Sequence, residues 1–402
     1  MLKVLIADKL PDAARTQLQE RGIEVVQDPS LKDEALVAAL QQHDPDVLVV
    51  RSTKVQAPQL EAARSLQLIV RAGAGVNTID LVTASARGVC VSNCPGMNAS
   101  AVAELAMGHL INADRRIADG VADLRAGQWK KKTYAKKARG LKGRRLAVLG
   151  VGSIGAELIA RARAFDMQVV AWSPSLTDQR AEALGCERAH SALDCARDAD
   201  ALSIHLALNP ATRGFVGEGI LGQLRPGAIV INTSRGEVVD EEALSRHVRE
   251  RGLRAGLDVF CGEPSSDGDY ACDLAQLEGV YGTHHIGAST DQSQEAVADE
   301  ALRVIFGWQS TGSAPNCVNL AAETDASHLL VVRHKDEVGV LASVLGTLSR
   351  CGINVQGMEN VLFSGGHAAC ARIQVDRAVP VEALEGLSAL PPVYDAKLVE
   401  IG

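Results

Sequence analysis

The sequence predicts an α/β protein with two doubly wound parallel-sheet lobes, followed by a smaller ferredoxin-like βαββαβ unit. Short runs of Val, Ile and Leu recur along residues 1–286, and segments with apolar residues three and four positions apart separate many of them. From residue 327 onward the patterns change to the order β-α-β-β-α-β, which predicts the smaller unit. A chain of 402 residues is long enough for several cores.

The first lobe is predicted from four buried strands, because each is a near-continuous apolar run typical of parallel sheets. These runs are 4–7, 47–50, 68–70 and 89–91. Helical spacing over 31–42 predicts one of the intervening helices. Pro95 and Gly96 then interrupt the pattern, and Asn98 or Ser100 is expected to cap a helix over 101–111.

The second lobe is predicted from six further strands. They are 146–149, 169–172, 201–206, 229–232, 256–259 and 279–281. Ser289 and Gln292 have the spacing of a capping box, which predicts a helix running to about Phe306. A segment rich in Ser, Thr, Gly, Pro and Asn follows and predicts a linker over 309–326.

The last unit, 327–402, contains six predicted elements in β-α-β-β-α-β order. They are 328–333, 339–351, 353–360, 367–375, 381–389 and 394–401. This order is the ferredoxin-like arrangement.

Composition excludes several classes of function. Aromatic residues make up 3% of the chain and the formal net charge is −8, which disfavours a surface built for nucleic acid or anionic lipid. No apolar run approaches the ~20 residues that cross a bilayer, and no signal peptide precedes the first strand, so we expect a cytoplasmic protein. The nine cysteines form no C-x-x-C pair, and His284 and His285 lack the i, i+4 spacing of helical ligands, so we expect reduced thiols and no metal site.

Residues 150–155, Gly-Val-Gly-Ser-Ile-Gly, match the pattern G-x-G-x-x-G between a predicted strand and a predicted helix. In this context Gly150 allows a tight turn, Gly152 lets the backbone approach a pyrophosphate, and Gly155 lets the helix pack close to the strand. The free N–H groups of the helix N-terminus would bind the anion. Ser173 stands after the next strand where an acid usually binds the ribose, and Arg180 is nearby, so NAD is expected and NADP is not excluded.

Three polar segments follow successive strands of the second lobe, at the edge where ligands collect in doubly wound folds. They carry Arg235, Glu263 and His285. Arg235 is suited to orient a carboxylate and polarise a carbonyl oxygen, and His285 to exchange a proton near neutral pH. A carboxylate such as Glu263 would favour the imidazolium form of that histidine. Together these residues predict hydride exchange between a nicotinamide cofactor and a hydroxy acid.

These segments resemble the D-isomer-specific 2-hydroxyacid dehydrogenase family over nearly the whole chain. The resemblance implies a flavodoxin-like substrate lobe (1–96 and 287–308), a Rossmann NAD-binding lobe (97–286), and an ACT regulatory domain (327–402). It implies catalytic roles for Arg235, Glu263 and His285, and it implies a cofactor site that also includes flanking residues. These residues are Gly150, Gly152, Ser153, Ile154, Gly155, Ser173, His205, Thr233, Ser234, Asp258, His285 and Ala288.

Within the family, the branch that oxidises 3-phospho-D-glycerate has an Arg-Ser pair after a strand of the first lobe. Arg51 and Ser52 occupy that place and would meet the substrate phosphate, while Gly73, Ala74, Gly75 and Asn98 would meet the carboxylate. Two alternatives stay open, a hydroxypyruvate or glyoxylate reductase and an NAD-sensing corepressor-like binding protein.

Residues 130–145 hold nine Lys or Arg and no acid. They form either a solvated loop or a patch that steers anions to the cleft and lends Lys131 or Lys132 to a neighbouring subunit. The resemblance implies a homodimer or homotetramer. In the ACT domain it implies an L-serine effector held by His334, Asp336 and Asn354, with dimerisation alone as the alternative.

Overall fold

The computed structural model describes residues 2–136, 138–264 and 268–401. The chain divides into two compact units, Met1–Asn319 and Leu320–Gly402. The first unit holds two parallel sheets and the second holds one antiparallel sheet. The predicted fold class is therefore confirmed.

The first lobe is a five-stranded parallel sheet in the order β2-β1-β3-β4-β5, the flavodoxin-like order. Its strands are β1 (Lys3–Ile6), β2 (Glu24–Gln27), β3 (Val47–Val50), β4 (Leu68–Arg71) and β5 (Cys90–Asn93). Its connecting helices are α1 (Asp12–Glu20), α2 (Asp33–His43), α3 (Ala57–Ala62) and α4 (Leu81–Ala86).

The second lobe is a seven-stranded parallel sheet in the order β12-β11-β10-β9-β6-β7-β8, an extended Rossmann arrangement. Its helices are α5 (Ala99–Arg115), α6 (Ile117–Arg125), α7 (Lys131–Tyr134), α8 (Ser153–Ala164), α9 (Asp178–Leu184), α10 (Ala192–Ala196), α11 (Glu218–Gln223) and α12 (Glu241–Arg251). Its strands are β6 (Arg145–Leu149), β7 (Gln168–Trp172), β8 (Glu187–Arg188), β9 (Ala201–Ile204), β10 (Ile229–Asn232), β11 (Arg254–Leu257) and β12 (Val280–Gly282).

Helix α13 (Asp291–Thr311) returns the chain to the first sheet. Its buried residues Ala301, Leu302 and Ile305 pack in one cluster with the apolar face of β1 and α1. The helix N-cap is Thr290, whose hydroxyl accepts the N–H of Ser293 at 3.1 Å, and not Ser289 as predicted. The N-cap is one residue later than predicted because the backbone of Thr290 is extended and directly precedes the first helical turn.

The start of α5 also differs from the prediction. Asn98 occupies the N-cap position with no side-chain capping bond, and Ser100 lies inside the helix, where its hydroxyl contacts Glu157. Neither side chain therefore caps the helix, whose polar end is instead part of the cleft described below.

The predicted linker over 309–326 is only partly a linker. Helix α13 continues to Thr311, and residues up to Asn319 are docked on β5. Asn319 accepts the N–H of Val91 at 2.8 Å and donates to the carbonyl oxygen of Val89 at 2.9 Å. This side chain continues the sheet's hydrogen bonding past its edge strand.

The second unit is a four-stranded antiparallel sheet in the order β14-β15-β13-β16 with two helices. Its elements are β13 (His328–Lys335), α14 (Val340–Arg350), β14 (Val355–Leu362), β15 (Ala368–Val375), α15 (Val381–Ser388) and β16 (Val393–Glu400). Strand β15 alternates buried and exposed residues, and its buried face forms a core with Val344 and Leu348 of α14. In the ranges that the structure describes, no helix is both long and apolar enough to cross a membrane.

Candidate active site

A cleft of about 470 Å³ opens at the carboxyl ends of the strands of both parallel sheets. Most of the predicted substrate and catalytic residues line it. From the first lobe these are Arg51, Ser52, Gly73, Ala74 and Gly75, and from the second lobe and its junctions they are Asn98, Ile154, His205, Thr233, Ser234, Arg235, Asp258, His285 and Ala288.

The glycine-rich turn joins β6 to α8 as predicted. Gly150 has φ +94°, and a Cβ there would lie 2.4 Å from the carbonyl oxygen of His205, so only glycine fits. A Cβ at Gly155 would lie 2.1 Å from the carbonyl oxygen of Gly150, which reflects close packing of helix on turn. A Cβ at Gly152, in contrast, would meet no heavy atom within 4 Å. The space beside Gly152 is where a pyrophosphate would approach, and Ser153 begins α8 there.

Two buried polar atoms support a cofactor in this cleft. His205 Nδ1 and Thr233 Oγ1 have no hydrogen-bond partner among the described residues, although both side chains line the cleft. Burial lowers the pKa of His205 to about 4, so its ring is neutral at physiological pH. Such groups are normally paired, and the polar edges of a dinucleotide would supply partners. The residues present therefore fit NAD.

Ser173 directly follows β7 and is half-buried, whereas Arg180 is exposed on α9. No acid stands at this strand end to repel a 2′-phosphate. Ser173 and Arg180 therefore do not distinguish NAD from NADP.

Arg235 lies at the end of a loop shaped by Asn232, which is 1% exposed. The Asn232 side chain accepts the N–H of Ser234 at 3.0 Å and its hydroxyl at 2.7 Å, and it donates to the carbonyl oxygen of Arg235 at 2.9 Å. One Arg235 Nη lies 3.2 Å from the position a Cβ would take at Gly75 in the first lobe. The guanidinium therefore reaches across the cleft to the 73–75 loop. Asn232 was not singled out from the sequence as a site residue.

Glu263 and His285 are joined by a hydrogen bond between Oε1 and Nδ1. Burial opposes ionisation of Glu263, but the hydrogen bond and charge of His285, the Phe260 N–H and the charge of Arg235 outweigh it, so the pKa of Glu263 is lowered. The carboxylate stays ionised and holds the imidazole with Nε2 free of protein partners in the described residues. His285 itself lines the cleft.

Asp258 is buried and its carboxylate accepts three hydrogen bonds. Oδ1 accepts the Thr283 hydroxyl at 2.6 Å and the N–H of Ile286 at 2.8 Å, and Oδ2 accepts the N–H of Gly287 at 2.8 Å. This residue was predicted to contact the nicotinamide. Its carboxylate binds the backbone that follows His285, and the residue also lines the cleft, so the contact with the nicotinamide stays a prediction.

Asp8, which the sequence reasoning missed, organises the loop after β3. Its carboxylate accepts the backbone N–H groups of Arg51 at 2.6 Å, Ser52 at 3.1 Å and Thr53 at 3.1 Å, and the Ser52 hydroxyl at 2.9 Å. The Ser52 hydroxyl proton is therefore already used. The Arg51 guanidinium extends toward Gln294 of α13, 3.4 Å away.

Arg71 is a second missed residue of the cleft. Its Nε donates to the carbonyl oxygen of Arg51 at 3.0 Å, and its Nη1 lies where a Cβ at Gly73 would collide, 1.9 Å away. Burial, Arg235 and Arg51 lower the pKa of Arg71. In the same loop the Gly73 N–H is bonded to the carbonyl oxygen of Arg71, so the N–H groups of Ala74 and Gly75 are the ones open to a carboxylate in the described structure.

Arg145, the last residue of the basic segment 130–145, begins β6, whereas the cleft is at the other end of that strand. The position of Arg145 gives no support to the steering of anions into the cleft by this segment, which stays a prediction. Five of these residues have acidic partners: Lys130–Asp123, Arg139–Asp200, Lys142–Asp166, Arg144–Asp114 and Arg145–Glu187. Lys131 and Lys132 are exposed, and Lys137 lies outside the described residues.

The three predicted effector residues of the second unit differ in exposure. Asp336 and Asn354 are exposed, but His334 is 1% exposed. Its Nδ1 lies 2.7 Å from the carbonyl oxygen of Lys335 and its Nε2 3.2 Å from Asn360 Oδ1. The His334 ring is thus committed to the fold of its own unit.

Comparison with known proteins identifies the family. A model of the D-isomer specific 2-hydroxyacid dehydrogenase NAD-binding domain matches residues 107–287. A D-3-phosphoglycerate dehydrogenase of Methanocaldococcus jannaschii is 37% identical over 326 residues, covering 80% of this chain and 60% of the relative. A hydroxypyruvate reductase of Thermotoga maritima is 37% identical over 299 residues, covering 73% of this chain and 94% of the relative.

Among solved structures, an NAD⁺-bound 3-phosphoglycerate dehydrogenase of Entamoeba histolytica superposes with a TM-score of 0.66 at 26% identity. It covers 79% of this chain and 99% of its own. The Methanocaldococcus enzyme is longer than the matched region, since the chain spans 60% of its length. The chain belongs to the D-isomer-specific 2-hydroxyacid dehydrogenase family and carries that family's NAD-binding domain.

Proposed function

We propose that the chain is an NAD-dependent dehydrogenase that oxidises 3-phospho-D-glycerate to 3-phosphooxypyruvate, a step that feeds L-serine synthesis. The observation that carries the proposal is the charge of the cleft. Arg51, Arg71 and Arg235 line one cavity together with Lys9. The hydroxy-acid carboxylate needs one of these cations, and the others match a phosphate dianion.

The charge of Asp8, in the first lobe, acts on Arg71. Its carboxylate already accepts the N–H groups of the 51–53 loop. Those N–H groups are therefore closed to a phosphate, and the guanidinium groups of Arg51 and Arg71 would bind it instead. An unphosphorylated substrate would place no negative charge beside these two guanidinium groups, whose charges repel one another.

Each residue of the site has a distinct role in the proposed reaction. NAD, when bound, supplies the centre that accepts the hydride. In the oxidation direction His285 Nε2 takes the proton of the substrate hydroxyl, and Glu263 stabilises the imidazolium that forms. Arg235 orients the carboxylate and polarises the substrate oxygen, and the N–H groups of Ala74 and Gly75 bind the carboxylate from the other lobe.

The relatives support two substrates, because the Methanocaldococcus and Thermotoga proteins are equally similar to this chain in percentage identity. The test is the oxidation of NADH, and of NADPH in parallel, with phosphorylated and unphosphorylated hydroxypyruvate. We expect a preference for the phosphorylated acid, and we expect R51A and R71A to raise KM for that acid alone by 10-fold or more. A preference of the unaltered enzyme for hydroxypyruvate or glyoxylate would favour the reductase.

We also propose that the protein self-associates through α6. Ile117, Val121 and Leu124 are 48%, 40% and 58% exposed and lie on one face at i, i+4 and i+7 spacing. No residue of α6 is buried. A stripe of this kind on a described surface is typical of a contact between copies, and a dimer or a tetramer is consistent with it.

For the C-terminal unit we propose an ACT domain that binds L-serine between copies, with Asp336 and Asn354 as ligands for the amino and carboxyl groups. Their exposure supports this role, and the buried His334 would then hold the site's shape rather than contact the effector. Calorimetry with L-serine on the unaltered protein and on N354A tests it. No heat on the unaltered protein would leave dimerisation as the role of the unit.

A further inference from the structure

Three hydrogen-bonded side chains, of which His109 and Asp258 are buried and Thr283 is half-buried, run from the α5 face of the second sheet to the loop of His285. His109 of α5, Thr283 after β12 and Asp258 after β11 are linked in that order. Nε2 of His109 lies 3.0 Å from Thr283 Oγ1, and Thr283 Oγ1 lies 2.6 Å from Asp258 Oδ1. None of the reaction steps described above uses His109 or Thr283.

The direction of these hydrogen bonds follows from the protons available. The Thr283 hydroxyl has one proton, and the Asp258 carboxylate can only accept, so the hydroxyl donates to Asp258. Thr283 Oγ1 must then accept from His109 Nε2–H. Burial lowers the pKa of His109, partly offset by the charge of Asp258, so the ring is neutral and its tautomer is set.

A second feature shows that the fold makes room for this imidazole. Gly256 lies in β11, and a Cβ at that position would lie 2.6 Å from the Cβ of His109. Any larger residue at position 256 would push α5 and its histidine away from Thr283. The glycine inside a buried strand, otherwise unfavourable, is explained by the close approach of His109.

Asp258 in turn fixes the backbone at His285. Its carbonyl oxygen accepts the N–H of His285 at 2.8 Å, and its carboxylate accepts the two N–H groups that follow, of Ile286 and Gly287. Three consecutive N–H groups thus converge on one residue. His285 has φ +54°, a left-handed conformation that a non-glycine residue keeps only when its surroundings hold it.

We propose that His109 and Thr283 are positioning residues for His285, acting through the orientation of the Asp258 carboxylate. Thr283 fixes Oδ1, His109 fixes Thr283, and the carboxylate then fixes the backbone on the C-terminal side of His285. Together with Glu263, which holds the ring at Nδ1, this sets where Nε2 points. The inference rests on the proposed dehydrogenase function, in which His285 is the acid/base group.

The experiment compares T283V, which keeps the shape and removes the hydroxyl, with T283S, which restores it. We expect T283V to lower kcat by about 10- to 100-fold, since a misplaced acid/base group costs that much, with the Kd for NAD changed less than twofold. The solvent isotope effect on kcat should rise because proton transfer becomes slower. T283S should recover most of kcat.

A second pair of variants tests His109, at the far end of this hydrogen-bonded series. H109Q keeps a hydrogen-bond donor and H109L removes it, and only H109L should repeat the T283V effect.

A matched control is H247L, since His247 is also a buried histidine of the second lobe with a side-chain partner, Glu218, far from the cleft. It should leave kcat unchanged. A readout independent of turnover is the tautomer of His109 in the cofactor-free protein, observed by ¹⁵N NMR after selective histidine labelling. We expect the Nε2–H form in the unaltered protein.

Three results would overturn the proposal: an Nδ1–H tautomer of His109, a T283V enzyme within twofold of the unaltered kcat, or a loss of NAD affinity equal to the loss of kcat. The NMR result holds even if T283V does not fold. Failure of the dehydrogenase function itself is distinguishable, because the unaltered enzyme would then show no turnover while the tautomer would still be Nε2–H.

Discussion

His285 Nδ1 is hydrogen-bonded to Oε1 of Glu263, a residue 22 positions earlier in the chain. The two side chains come from loops that follow different strands of one parallel sheet, β11 and β12. This bond commits one ring nitrogen and presents the other to the cleft. It also places the negative charge of Glu263 beside the group that is proposed to become an imidazolium.

Removing either partner should therefore have a large and specific effect on turnover. H285N lacks the acid/base group, and we expect kcat to fall by about 10²- to 10⁴-fold with NAD affinity retained. E263Q keeps a hydrogen-bonding side chain but removes the charge, and it should lower the rate of reduction more than that of oxidation, because reduction needs the protonated imidazole.

The measurement is steady-state turnover in both directions together with cofactor binding by fluorescence or calorimetry. His284 provides the control, since it is adjacent, exposed and without a hydrogen bond among the described residues. H284N should behave like the unaltered enzyme. Normal turnover in H285N would remove His285 from the proposed mechanism.

The glycine-rich turn offers a pair of substitutions that separate folding from cofactor binding. G150A places a Cβ 2.4 Å from a backbone oxygen at φ +94°, so we expect a loss of stability of about 2 kcal/mol or more together with the loss of NAD binding. G152A meets no protein atom, so its Tm without cofactor should be unchanged while the Kd for NAD rises by 10-fold or more.

Thermal unfolding without cofactor and NAD titration distinguish these outcomes. If G152A binds NAD as tightly as the unaltered protein, the pyrophosphate does not approach the backbone at this turn.

The apolar face of α6 gives a prediction about assembly. L124E places a charge at the C-terminal end of the exposed stripe, and desolvating that charge would oppose a contact between copies. We expect a shift toward monomer, or toward the dimer formed by the other unit, in light scattering after size exclusion.

Val82 supplies the control for this charge substitution. It is 81% exposed on α4, away from α6, and V82E should leave the mass unchanged. An unaltered protein that is monomeric at micromolar concentration would contradict the proposal before any variant is made.

The sequence patterns were informative where burial is complete and failed where it is partial. Strand β3 is a run of four apolar residues with no exposed surface, and its predicted bounds agree with the structure. Strands β2 and β8 were not predicted. Both are edge strands, β2 is half-exposed and begins with a charged residue, and β8 is the two-residue pair Glu187–Arg188, so neither has an apolar run.

The residues of the site also fall into those that the sequence reveals and those that it does not. Arg235, Glu263 and His285 follow the ends of strands, a local rule that a sequence reveals. The groups that hold them do not follow a local rule. His109 and Thr283 are 174 positions apart, and the roles of Asp8 and Asn232 depend on which backbone N–H groups lie within reach. The ion pairs of the 130–145 segment were not predicted for the same reason, since the partners Asp114 and Asp200 are distant in sequence or on other elements.

Asp200 gives a prediction for the pH dependence of stability. Its side chain is 3% exposed, and it meets Arg139 at 3.0 Å, Arg225 at 3.2 Å and the N–H of Arg145 at 3.0 Å. Burial raises the pKa of this carboxyl, but the Arg145 N–H bond and the charges of Arg225 and Arg139 outweigh it, so the pKa lies below its ordinary value of 3.8. A group whose pKa is depressed by folding stabilises the protein above its unfolded pKa, and this stabilisation is lost as pH falls through the lowered folded pKa.

D200N should consequently lower Tm at pH 7, by roughly 3–10 °C for a loss of about 1–3 kcal/mol. The difference from the unaltered protein should shrink as pH falls below about 4, where the native carboxyl also becomes protonated. Asp198 is the control, because it is exposed, has a φ of +54° that asparagine tolerates, and has no side-chain hydrogen bond among the described residues. D198N should leave Tm unchanged at every pH, and a D200N penalty that stayed constant down to pH 3 would mean that the charge of Asp200 is not what stabilises this end of the sheet.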